Sequence, residues 1–403
     1  MPNRAPMLSV PHKMSDFEAS TTLPRLDEPW CPVSDYQARL TKVREAIEAR
    51  GLAGLVLFQP ESVTWLTGFY TRGYGSFQCV LVPSRGEPVT CCRDMETYYR
   101  ERTSVFPEHV YWTDTDNPVD VAAAMIRKGT GRQARLGLEM SAWPLTTTRF
   151  NALVSALPDV EFLDSSDLIQ VLRRYKSPSE VRLMRHAASA AEAGMKAAAN
   201  VISAGRSERE VAADISAALI RAGSDMPGPG VLSSGERANH LHGSYVDRVL
   251  EEDDLVQFEV LACVRHYHAR FMRPIKVGTA SQTEMDVAAR LIEIQDRAMA
   301  EIGPGVPATI PDAVYRKGVL DAGLAETYTN KTFYGLGLLL PPVSGEPPEA
   351  SPAADWSFEP GMTFHTYVLA RGFGVSETIH VTDDGYERLT HFPRKLIVGG
   401  GRD

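Results

Sequence analysis

Acidic, basic and imidazole side chains crowd one stretch of this chain, Asp254 to Gly278, DLVQFEVLACVRHYHARFMRPIKVG. Leu255 to Cys263 alternates, with Val256, Phe258 and Val260 on one face and Gln257, Glu259 and Leu261 on the other, which predicts a strand. His266 to Val277 predicts a second strand after a short turn, and it carries Tyr267, His268, Arg270 and Arg273. Charge or imidazole buried without a partner is costly, so these side chains are expected to face a polar cavity. Arg270 and Arg273 suit a carboxylate held through two parallel N–H bonds. A structural salt-bridge network is the equally open alternative. Glu259 would then pair with one of these arginines, which would keep it anionic.

Other groups could join them. His242 lies in the polar run SSGERANHLHGSYVDRVLEEDD, twelve residues before Asp254. An imidazole that titrates near neutrality suits proton transfer. His240 competes for that place, and a structural hydrogen bond is the plainer role for either. His268, Tyr334 and Tyr367 could donate hydrogen bonds to a developing oxyanion or a leaving nitrogen, or simply line a cavity. Glu377 could neutralise a cationic amidinium or guanidinium, or serve as the buried partner of an arginine.

The elements that must position these residues fall into two groups. Residues 1–33 lack periodicity and read as an arm. Residues 34–168 alternate helix and strand, which predicts an α/β domain with helices packed on a mixed sheet. Its expected elements are a helix after Ser34, strands near Leu55, Phe77, Val89, Leu136 and Val160, and helices over Asp94 to Thr103, Val119 to Arg127 and Thr146 to Ala156. Residues 169–403 form the second unit. Ser177 with Glu180, Ser207 with Glu210, and Ser281 with Glu284 are capping boxes at three helix starts. The first of these helices is expected to end at Gly205. Strands at Phe364 to Ala370 and Val375 to Val381 complete a second helix–helix–strand–strand set, an architectural repeat without sequence identity.

The hairpin resembles that of the creatinase–prolidase–methionine aminopeptidase family. Metal-binding members of that family carry two Asp eleven residues apart, where this chain has Glu259 and Arg270. The remaining three ligand places, a His and two Glu, fall on Tyr334 in FYGLGL, Tyr367 in GMTFHTY and Ser376 in SETIHVT. An Arg where a cation should sit, and a single retained carboxylate, argue against a catalytic metal. The wording FEVLACVRHYHARFMR is similar to the ectoine hydrolases, a metal-free branch. So are Tyr334, the run Pro341-Pro342 to Gly345-Glu346, Phe364-His365 and Ser376-Glu377.

That resemblance implies an α/β N-terminal domain and an α+β pita-bread catalytic domain with a pseudo-two-fold repeat. It implies no cofactor, a general acid or base at His242, and Glu259 as a nucleophile or as a base that activates water. It also implies a homodimer in which the loop GFYTRGYGSFQ, with Arg72 and Tyr74, reaches the neighbouring site. This loop departs from the Trp-containing loop of ectoine hydrolases.

Bulk properties narrow the partners. Net charge is −9 and no basic tract stands out, so nucleic acid is not an expected partner. No apolar run is long enough to span a membrane, and the first residues lack a signal-peptide core. The five cysteines form no C-x-x-C pair, which fits reduced thiols in a cytoplasm. The expected activity is metal-independent hydrolysis of a C–N bond in a small, nitrogen-rich substrate. An ectoine-like cyclic amidine comes first and a creatine-like guanidino acid second. The alternatives are an Xaa-Pro aminopeptidase or dipeptidase-like metallohydrolase, a lyase, and a non-catalytic binding protein.

Overall fold

A computed structural model describes residues 23–226 and 228–400. The expected N-terminal arm lies outside the described residues as far as residue 22. The first unit contains β1 (Gly54–Leu57), β2 (Cys79–Pro83), β3 (Val89–Arg93), β4 (His109–Trp112), β5 (Arg135–Leu138) and β6 (Glu161–Asp164). They make one sheet in the order β4-β3-β2-β1-β5-β6, antiparallel through β1, β2 and β3 and parallel elsewhere. Around it lie α1 (Val33–Ala49), α2 (Pro60–Thr67), α3 (Thr97–Thr103), α4 (Pro118–Thr130), α5 (Thr147–Ala156) and α6 (Ser166–Arg173). This is the expected mixed sheet with packed helices. Strand β4 was not expected: it is a half-exposed edge strand, so its sequence shows no apolar alternation.

Two long helices open the second unit, α7 (Pro178–Val201) and α8 (Glu208–Arg221). Helix α7 stops at Val201, short of the expected Gly205. The two later helices are α9 (Gln282–Ala300) and α10 (Thr309–Asp321). Capping boxes at Ser177, Ser207 and Ser281 start α7, α8 and α9, each with a Glu side chain returning to the cap N–H.

One sheet holds β7 (Gly230–Ser234), β8 (Leu255–Val264), β9 (Tyr267–Lys276) and the terminal β15 (Ile397–Val398), in the order β15-β9-β8-β7. The other holds β10 (Phe333–Gly335), β11 (Glu346–Ala350), β12 (Thr363–Ala370), β13 (Phe373–Thr382) and β14 (Gly385–Arg388), in the order β11-β10-β12-β13-β14. Val256, Phe258 and Val260 pack with Met195, Ile215 and Leu219 of the first helix pair. Phe364, Val375 and Ile379 pack with Leu291, Ile294 and Tyr315 of the second. Each helix pair therefore covers one face of its own sheet.

The β8–β9 turn is built from Arg265 and His266, both left-handed at φ +52° and +58°. Two-residue hairpins need that conformation, which costs a non-glycine residue on the order of 1–3 kcal/mol. Asp225 grips Arg265 with Oδ1 and Oδ2 at 2.8 and 3.1 Å, and the Tyr70 hydroxyl meets His266 Nε2 at 2.6 Å. Those contacts hold the turn. Gly230, at φ +99°, lets β7 approach β8, because an added Cβ would strike the Glu259 carbonyl.

Candidate functional site

The two sheets of the second unit meet along β9 and β13. Side-chain hydroxyls, rather than a backbone ladder, join them. Thr378 Oγ1 accepts from Arg270 N at 2.9 Å and donates to Arg270 O at 2.8 Å, and Ser376 Oγ accepts from Met272 N at 2.6 Å. Beside this seam is a cavity of about 530 Å³, lined by His242, Glu259, Arg270, Met272, Lys331, Tyr334, Ser344, Glu349, His365 and Tyr367 among others.

The cavity is organised around Glu259 and Arg270. Arg270 Nε donates to Glu259 Oε1 at 2.6 Å, and Nη1 donates to the Ser344 carbonyl at 2.8 Å. The guanidinium stands 5.5 Å from the centre of the Tyr334 ring. Glu259 Oε2 and Arg270 Nη2 carry no hydrogen bond among the described residues. One oxygen of the carboxylate is thus held and the other is free. At the mouth, Lys331 Nζ pairs with Glu349 at 2.6 Å.

Aromatic rings line the cavity beside this pair. Tyr367 stacks on His365 at 5.3 Å, and Tyr334 meets His365 edge-on at 4.9 Å. Burial pushes both tyrosine hydroxyls up, so both stay neutral donors at physiological pH. His242 sits in an exposed loop with φ +66° and faces the cavity, whereas His240 is not among its lining residues. Non-glycine residues held in this conformation cluster at working sites.

His365, like Lys331 at the mouth, is a cavity residue that sequence reasoning left out of the site. It is 1% exposed, and neither ring nitrogen has a hydrogen-bond partner. Nε2 lies 3.5 Å from Glu259 Oε1. Burial, and then the charge on Arg270, hold its pKa well below the usual histidine value, so the ring is neutral. Strand alternation was the available signal: residues two apart share a face, and Tyr367 was already placed toward the cavity.

Three expected site residues of the second unit stand elsewhere. Arg273 is fully buried on the opposite face of β9 from Arg270, because the two lie three positions apart and strand faces alternate. Its Nε donates to Pro393 O, Nη1 to Met272 O and Ser376 O, and Nη2 to Glu377 Oε1 and Phe392 O. All five guanidinium donors are spent, so none is left for a substrate. Glu377 is also fully buried; its Oε1 accepts from Arg273 at 2.8 Å and lies 3.2 Å from Arg394, and its Oε2 accepts from Thr390 at 2.5 Å. It is the arginines' structural partner rather than a cavity group. His268 lies under the site with Nδ1 2.9 Å from the His266 carbonyl, and burial together with Arg270 lowers its pKa to about 4. It is not among the cavity-lining residues.

Arg72 and Tyr74 line a separate small cleft of about 80 Å³ with Tyr70, Asp225 and His266. Within one chain that cleft shares no lining residue with the Glu259 cavity.

The donor set fits a pair of divalent ions poorly. At the five family ligand places stand one carboxylate, one guanidinium, two phenols and a hydroxyl, and the guanidinium already occupies Glu259. Among the described residues no group of three or more His, Cys, Asp and Glu side chains is arranged to hold a metal ion.

Two helix-covered half-sheets with a cavity at their seam, preceded by an α/β domain, define the two-domain pita-bread architecture. The model for metallopeptidase family M24 matches residues 182–383, and that for the creatinase/prolidase N-terminal domain matches residues 39–175. This chain belongs to the M24 family. It is 27% identical to an uncharacterized hydrolase/peptidase of Sinorhizobium fredii, over 91% of this chain and 97% of that protein. It is 27% identical to the ectoine hydrolase of Halomonas elongata, over 90% of this chain and 97% of that one. Among solved structures, an Xaa-Pro dipeptidase from Bacillus anthracis superposes with a TM-score of 0.80 at 25% identity, covering 90% of this chain and 99% of that chain.

Proposed function

We propose that this M24-family hydrolase cleaves a C–N bond of a small cyclic amidine, or of a guanidino acid, without a bound metal ion. The observation that carries the reading is the 2.6 Å bond from Arg270 Nε to Glu259 Oε1, which puts a fixed cation at a family metal-ligand place. The likeness to an ectoine hydrolase over nearly the whole chain supports the substrate class. Glu259 Oε2 attacks the amidine carbon or draws a proton from an attacking water. His242 transfers a proton to the departing nitrogen. Arg270 Nη2 and Lys331 receive the substrate carboxylate, and the phenols of Tyr334 and Tyr367 orient its polar edge.

The protein is proposed to act as a homodimer, with Arg72 and Tyr74 presented to the neighbouring cavity. The exposure of Arg72, and its place in a cleft that shares no lining residue with the cavity of its own chain, support that arrangement. A cytoplasmic setting is proposed on the five free, buried cysteines. No helix among the described residues is long and apolar enough to cross a membrane.

The test is turnover of ectoine and creatine by purified, chelator-treated protein, with Ala-Pro and Gly-Pro in parallel. Ring-opened product at an undiminished rate after chelation supports the proposal. Cleavage of Xaa-Pro dipeptides that depends on added manganese or cobalt overturns it in favour of a peptidase.

A further inference from the structure

We propose that His365 and Arg270 together form an oxyanion hole, aimed at Glu259 itself rather than at the substrate. This inference rests on the amidine-hydrolase reading and names the step that ends each turnover. Three geometric facts carry it. Arg270 Nε and His365 Nε2 converge on the same oxygen, Glu259 Oε1, at 2.6 and 3.5 Å. The other oxygen is free toward the cavity. His365 is 1% exposed yet has both nitrogens unpartnered, a cost that a purely structural histidine would avoid.

The steps balance as follows. Glu259 Oε2 bonds to the amidinium carbon, and that carbon's bond to one nitrogen breaks. The nitrogen leaves as an amine after taking a proton. The protein now holds an acyl imidate, in which Glu259 Cδ and the substrate carbon share Oε2. Water then attacks Cδ and gives its proton to His242, which became neutral when it protonated the departing nitrogen. The developing negative charge falls on Oε1, where Arg270 Nε and the Nε2–H tautomer of His365 both donate to it. Collapse breaks the Cδ–Oε2 bond. Oε2 departs with the substrate as the oxygen of an amide, and the water oxygen remains in Glu259. A 3.5 Å separation before reaction is consistent with this role, since such bonds tighten as charge develops.

The first experiment is a single turnover of ectoine by excess wild-type protein in ¹⁸O-water. The expected product amide carries ¹⁶O, and the peptide containing Glu259 gains ¹⁸O. An ¹⁸O-labelled product in the first turnover overturns the proposal, because water would then have attacked the substrate carbon. The second uses His365→Phe, which keeps a ring on Tyr367 but removes both nitrogens. Its steady-state kcat should fall about 10²-fold or more, with intact-mass spectra showing a substrate adduct on Glu259. His365→Asn, which retains an N–H, should recover part of that loss. A folded His365→Phe variant that turns over within threefold of wild type, or shows no adduct, overturns the proposal. The labelling result stands whether or not that variant folds. Absence of any turnover by wild type on ectoine and creatine defeats the underlying functional reading instead, so the two failures are distinct.

Discussion

Glu259 has two oxygens in different states, and that asymmetry is the main chemical feature of the cavity. Arg270 fixes one, while nothing among the described residues holds the other. Glu259→Gln keeps the shape but removes the nucleophile or base. Turnover of ectoine should drop by roughly 10⁴-fold or more while far-UV circular dichroism is unchanged. A residual rate above a hundredth of wild type would move the chemistry to another side chain. Arg273 makes the opposite case. Its guanidinium is satisfied by four carbonyls and Glu377, so Arg273→Met should cost about 3–5 kcal/mol of stability by leaving Glu377 short of a partner. In the fraction that stays folded, KM for substrate should change less than twofold. A tenfold rise in KM with an unchanged urea midpoint would return Arg273 to the substrate.

At the scale of elements, the seam between β9 and β13 decides whether the cavity exists. Arg270 N–H and C=O are buried, and the Thr378 hydroxyl satisfies both. Thr378→Val matches the shape but leaves two backbone groups unpaired, at a cost of about 2–4 kcal/mol. Urea unfolding should show that loss, and hydrogen exchange should quicken first at Arg270. Equal protection of that amide in both proteins would mean that the strands are joined by packing alone. This seam also shows what the sequence made legible. Capping boxes at Ser177, Ser207 and Ser281 are local patterns, and all three are formed. The hairpin's alternation placed Glu259 correctly against Val256, Phe258 and Val260. Arg273 and Glu377 were misplaced because charge was read without strand parity: Arg270 and Arg273 lie an odd number apart, as do Ser376 and Glu377. The pairing of Arg273 with Glu377 joins two strands of different sheets, and no local pattern encodes that. Short strands such as β4 and β10 were missed because too few residues alternate to be read.

The whole molecule holds its cavity through contacts between its two units. Glu61 of α2 accepts from Leu340 N at 2.9 Å, and Glu346 pairs with Arg173 of α6 at 2.9 Å and with Lys176, in the link before α7, at 2.8 Å. The 338–346 segment anchored this way carries the Ser344 carbonyl that supports Arg270. A second cavity of about 280 Å³ lies at this junction, lined by Glu61, Glu139, Arg173 and Glu346 among others. Glu139 accepts from Phe58 N and Gln59 N, both at 2.8 Å, at the start of α2. Burial pushes its pKa up to about 7 against those hydrogen bonds, from the ordinary carboxyl value of 4.5. The sign follows from linkage. The folded protein binds this proton more tightly than the unfolded chain does. The stabilisation is therefore fully present below pH 4.5 and is lost as pH rises through 7. A difference of that size is worth on the order of 3 kcal/mol. Glu139→Gln keeps an acceptor for the two N–H groups and removes the titration. Melting temperatures measured from pH 5 to pH 8 should diverge, with the wild type losing ground to the variant as pH rises and the gap levelling off above pH 7. Parallel curves would show that Glu139 stays ionised in the folded protein and that the junction tolerates its charge.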